Sequence, residues 1–206
     1  PREARTVPEW QTMQKPTYWQ FIAISDTAKT KLGFGNFAGL AVYGERRVSV
    51  MLLLGFAAGL PNLLVYDTLS AWLRDDGVSL ELIGFFALAT LTYALKFVWA
   101  PLIDRTDVPF LTKWLGHRRS WMLATQVVII GGLWMISGSN PQDNLALIAL
   151  FAVIVGFFGA TQDIAIDAWR IESVDDSRQG VMAAAYQLGY RVAVIVAGAV
   201  PLILAQ

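Results

Sequence analysis

Five apolar stretches of membrane-spanning length run through the chain from Val48 to Leu204, and three of them carry Lys96, Asp163 or Arg191 inside. A spanning helix needs about 20 mostly apolar residues. Hydrocarbon offers no partner to the backbone, so each N–H and C=O must be satisfied within the segment. The stretches cover 48–73, 82–103, 120–137, 145–166 and 181–204, parted by short polar connectors such as GSNPQDN. Short links make consecutive helices antiparallel. The pattern therefore predicts an all-α integral membrane protein, built as an up-down helical bundle.

Composition points the same way, with 55% hydrophobic residues, 16% charged and a mean hydropathy of +0.49. A formal net charge of zero gives nucleic acid nothing to hold. Cysteine is absent, which removes disulfides, thiolate metal sites and thiol nucleophiles together. With one histidine besides, no metal and no cofactor is expected, and an intramembrane enzyme has little to be built from.

Lys and Arg set the orientation. Arg46 and Arg47 precede the first stretch, Arg105, Lys113, Arg118 and Arg119 lie between the second and third, and Arg170 and Arg178 follow the fourth. The opposite side has Arg74 among Asp75, Asp76 and Glu81. The Arg-rich side is therefore expected to be cytoplasmic, with the N-terminus inside. Residues 1–47 form an extension, aromatic but interrupted by Asp26, Lys29 and Lys31. It reads as an interfacial or a flexible segment. Pro1 is no initiator Met, and the chain stops at Gln206 as the fifth stretch ends. An N-terminal piece of a larger transporter is expected, its bundle completed by further helices or by another membrane protein.

A charge within a span ordinarily faces a cavity or a buried partner. Lys96 stands about 12 Å deep, counted from Asp104 at 1.5 Å per residue, with Tyr93 one turn away. It either snorkels to the interface or meets an anion or an aspartate. Asp163, Asp167 and Arg170 follow the spacing i, i+4, i+7 and share one helix face. Desolvation and a neighbouring cation oppose each other at such a carboxylate, which suits a protonatable coupling site or a gate ion pair; a helix end leaving the bilayer is the plainer reading. Arg191 stands near the midplane, about 15 Å past Val181, and its planar fork suits carboxylates or phosphates. Asp67 is a gate candidate or a wetted residue at the outer mouth, and His117 a solvated loop residue. Gly55 and Gly59, followed by Pro61, form either a close packing seam or a bent cavity-lining helix.

Several longer runs carry a resemblance. GFAAGLP from Gly55, IGFFALATLTYALKFVWAPLIDR from Ile83, GHRRSWMLATQ from Gly116, ATQDIAIDAWR from Ala160 and LGYR from Leu188 stand in order. Together they are similar to the AmpG-type muropeptide permeases of bacteria. That resemblance implies a major-facilitator fold, two six-helix halves working by alternating access, of which this chain would supply the first five helices. It implies import of anhydromuropeptides across the cytoplasmic (inner) membrane, driven by protons. Asp163 and then Asp167 become the proton-coupling candidates. Lys96 and Arg191 suit the peptide carboxylates, while Tyr93, Trp99, Gln126, Gln162 and Tyr190 suit the sugars. Asp104, Arg105, Arg118 and Arg119 resemble that superfamily's gate loop between helices two and three. Two alternatives stay open: an acetyl-CoA carrier of the related branch, and a truncated, non-transporting subunit of a membrane complex.

Overall fold

The computed structural model describes residues 42–86 and 91–204. Most of the extension expected over 1–47 therefore lies outside the described residues. Those described hold helices and no strand, and four helices are long and apolar enough to cross a membrane. This is a multi-pass, all-α membrane chain.

The first rod, α1, spans Arg46–Asp75. Pro61 lies inside it and contributes no N–H. Three residues later the ladder widens into a π-helical stretch, Leu64–Thr68, before regular helix resumes at Leu69–Asp75. The second apolar stretch, expected as one span over 82–103, is a succession of short pieces: α2 (Leu80–Phe86), α3 (Leu91–Leu95), a 3-10 turn (Lys96–Val98) and α4 (Ala100–Arg105). Residues 87–90 between α2 and α3 lie outside the description. The physical reason for the later break is Pro101 in the first turn of α4. It offers no N–H to the Phe97 carbonyl one turn back, a loss that is harmless only where a helix begins. Leu95 (ψ 1°) and Trp99 (φ −104°, ψ −3°) take up the change.

A loop then holds one short helix, α5 (Leu111–Leu115). Gly116, at φ 80° and ψ 165°, makes the turn into α6 (His117–Ser137), a conformation that a Cβ would strain. Next comes α7 (Pro141–Ser173), whose start is capped by the Asn140 side chain accepting from the Gln142 N–H at 3.1 Å. The last helix is α8 (Asp176–Leu204). The polar connector read from Arg170 to Gly180 is thus mostly helix, and only residues 174 and 175 join α7 to α8. Gln179 makes this possible: its Nε2 donates to the carbonyls of Val174 (3.0 Å) and Ile171 (3.3 Å), which the end of α7 leaves without intrahelical partners.

The bundle is two helix pairs, α1 with α8 and α6 with α7, joined through α1 and α7. Lipid tails are as apolar as leucine, so close backbone approach matters more here than in water. A methyl group on Gly55 would come within 2.1 Å of the Tyr186 carbonyl oxygen, and one on Gly189 within 1.9 Å of the Leu52 carbonyl oxygen. On the other pair, a methyl on Gly132 would meet the Val155 side chain at 2.5 Å. Toward the end away from the arginines, Val65, Leu69, Leu73, Phe86, Ile129, Ile136, Ile148, Ala152 and Val155 form the apolar core. Toward the Arg-rich end α7 buries small and polar residues, Gly159, Ala160, Thr161 and Gln162, followed by Ile164, Ala165 and Ile166.

Candidate functional site

Small residues on α7 let the segment carrying Lys96 lie close. The Tyr93 hydroxyl sits where a Cβ on Gly159 would be, 2.4 Å from that position, and it hydrogen-bonds the Asn62 side chain of α1. Trp99 Nε1 donates to Thr161 Oγ1 at 3.1 Å while its ring packs on Phe157, centroids 4.8 Å apart. Between these two anchors lies Lys96.

Its ammonium stands 4.0 Å from Asp163 Oδ2 and also 4.0 Å from Asp167 Oδ2. The two carboxylates differ in surroundings. The Asp163 side chain is 17% exposed and accepts from the Tyr186 hydroxyl of α8 at 3.0 Å on Oδ1. The Asp167 side chain is 51% exposed, with Arg170 Nη2 3.6 Å from its Oδ1. Four elements therefore converge: α3 and its 3-10 turn, α7, α8 and, through Asn62, α1. With both aspartates ionised, the charges of Lys96, Asp163, Asp167 and Arg170 cancel. A buried carboxylate with one cation and one neutral donor can gain and lose a proton while keeping a partner.

Not every residue singled out in the sequence joins this cluster. Gln126 and Gln162 pair with each other, Gln162 Nε2 donating to Gln126 Oε1 at 2.7 Å. With Arg119 they line a separate cavity of about 400 Å³ between α1 and α6, to which neither Lys96 nor Asp163 contributes. Gln162 Oε1 is buried there with no partner among the described residues. Tyr190 stacks beside Tyr186, ring centroids 6.3 Å apart, and so borders the ion cluster. Arg191 is exposed, and among the described residues it makes no ion pair. Asp67 is likewise exposed, within the π-helical stretch.

At the Arg-rich end a second network closes around Arg118. Its Nη1 lies 2.6 Å from Asp104 Oδ1, and its Nη2 and Nε reach Glu172 Oε1 at 2.8 and 3.0 Å. One guanidinium thus ties α4, α6 and α7 together. Arg105 and Arg119 are exposed and take no part in it. His117, read from sequence as a solvated loop residue, is partly exposed at the start of α6, its Nδ1 3.0 Å from Asp107 Oδ1 and its Nε2 3.1 Å from the Ile103 carbonyl. Sequence reasoning missed Glu172 as an Arg118 partner and Tyr186 as the donor to Asp163. A Tyr186 signal was available, because Tyr186 and Tyr190 are four residues apart on one helical face. No motif marks Glu172.

Residues 47–145 match the family model described as acetyl-coenzyme A transporter 1. The anhydromuropeptide permease of Escherichia coli K12 is 39% identical over 167 residues, 81% of this chain and 33% of that protein. A Rickettsia felis protein carrying the name transporter AmpG 4 is 35% identical over 165 residues, 80% of this chain and 40% of its own length. An uncharacterized Haemophilus influenzae protein is 39% identical over 160 residues, 78% of this chain and 37% of its own length. The chain thus spans about a third to two-fifths of the length of these curated relatives.

Proposed function

A relative of the AmpG-type permeases over most of its length, this chain forms, we propose, part of a proton-coupled secondary transporter that imports anhydromuropeptides. The transporter works by alternating access in the bacterial cytoplasmic membrane, with the Arg-rich end inside. The observation that carries this reading is Lys96 set midway between Asp163 and Asp167 within an apolar bundle. Charges are retained at such depth for ion or substrate handling far more often than for packing. Asp163 is the coupling carboxylate, and Asp167 is the second acceptor. Lys96 and Arg191 meet anionic groups of the substrate, and Tyr93 and Tyr190 offer faces to its sugar rings. Gln126 and Gln162 are polar contacts on the other side of α7. The Asp104–Arg118–Glu172 network steadies one gate state, with Arg105 and Arg119 at its rim. Further transporter helices complete the bundle, and the chain does no covalent chemistry.

The test is uptake of labelled anhydromuropeptide by cells expressing the full-length protein, with and without a protonophore. Uptake should collapse with the protonophore and fall at least tenfold in Asp163→Asn. Absence of uptake by a well-inserted protein would refute the reading. One observation favours a second one, the acetyl-coenzyme A family model matching residues 47–145. Competition of labelled uptake by acetyl-coenzyme A would decide for it. The cationic groups near the site, Lys96 and Arg191, are sparse for a ligand with several phosphates.

A further inference from the structure

The two oxygens of Asp163 are held by chemically different partners. Oδ1 accepts from the neutral Tyr186 hydroxyl at 3.0 Å, and Oδ2 faces the Lys96 ammonium at 4.0 Å. The remaining ionisable groups that act on Asp163 are Tyr93 from the Lys96 segment, Tyr190 from α8 and Asp167 from its own helix. Of these, only Asp167 is a second resting place for Lys96, at the same 4.0 Å. Lys96 also opens the 3-10 turn Lys96–Val98, and short 3-10 stretches inside longer helical runs often mark hinges. The far end of that turn is fixed by the Trp99–Thr161 bond.

We infer that Asp163 takes its proton on Oδ2, that Tyr186 holds Oδ1 as the carbonyl oxygen, and that Lys96 then passes to Asp167. Tyr186 is thus a positioning residue that decides which oxygen is protonated. The reasoning is one of acceptor strength. In a carboxylic acid the carbonyl oxygen is the better acceptor, so a fixed O–H donor selects the oxygen that stays unprotonated. The new O–H bond forms on Oδ2 from a hydronium ion that leaves as water, and no other bond breaks. Protonated Oδ2 no longer holds the ammonium electrostatically, whereas Asp167 still does. The cluster of Lys96, Asp163, Asp167 and Arg170 goes from neutral to one positive charge, so proton uptake prepares the site for an anionic substrate. This inference rests on Asp163 being the coupling carboxylate.

Infrared difference spectra of the full-length protein in lipid vesicles, between high and low pH, test both layers. The wild type should show a protonated-carboxyl C=O band that is lost in Asp163→Asn. In Tyr186→Phe the same band should move to higher wavenumber, because its carbonyl loses a donor. A band lost in Asp163→Asn but unmoved in Tyr186→Phe overturns the positioning role and leaves the coupling reading standing. A band that survives in Asp163→Asn overturns both. Should Tyr186→Phe not fold, fluorotyrosine at position 186 keeps the shape and strengthens the donor. The band should then move to lower wavenumber, and an unmoved band overturns the inference.

Discussion

Arg118 engages two carboxylates from different elements, Asp104 on α4 and Glu172 at the end of α7. Both acids are about half exposed, which screens the attraction, while the guanidinium is largely covered. A double-mutant cycle of Arg118→Ala with Glu172→Ala should give a coupling of about 1 kcal/mol in thermal unfolding of the full-length protein. A coupling near zero would mean that the network is decorative. The same residues show what a sequence can disclose. Asp104 and Arg118 stand in one loop motif and were legible as gate-loop residues, though not as partners of each other. Glu172 lies 54 residues beyond Arg118, and only the packing of α6 on α7 brings it near. The Asp163–Asp167 spacing announced a shared face at once, since helical periodicity needs no tertiary knowledge. That Lys96 would meet them from another element was one of two open readings, because its reach depends on where α3 lies.

At the scale of elements, the α1–α8 crossing turns on glycine. A methyl on Gly55 would meet the Tyr186 carbonyl at 2.1 Å, and main chain cannot swing aside as a side chain can. Gly55→Ala should therefore destabilise the protein by about 1–3 kcal/mol, the usual range for forcing atoms into a filled space. Gly84→Ala on α2, with nothing within 4 Å of its would-be Cβ, is the control and should melt like the wild type. Equal melting of the two variants would refute the seam. Four of the five apolar stretches correspond to continuous helices, because twenty apolar residues in a row leave a membrane chain few alternatives. The stretch around Lys96 differs. Hydropathy averages over its breaks, and the informative signal was local: Pro101 fixes where a new helix can start.

For the whole molecule, the distribution of arginine makes a directional statement. These 206 residues contain no cysteine, so a single cysteine placed among them, with any elsewhere in the protein replaced by serine, reports topology without background. In the full-length protein in cells, Asp76→Cys should react with an impermeant maleimide from outside, and Lys113→Cys only after the membrane is opened. The reverse pattern would overturn the proposed orientation. Grooves of about 640 Å³ and 400 Å³ lie between α6 and α1. The two pairs thus touch through α7 and leave α1 and α6 apart. The glycine contacts of α1 and α8 carry a practical corollary. Main chain resting on main chain has no rotamers to redistribute, so the interval between those helices is a built-in ruler. Paired spin labels astride Gly55 and Gly189, on exposed positions such as Leu53 and Leu188, should read one fixed separation at every pH. Against that standard, any displacement of the segment bearing Lys96 becomes a calibrated length.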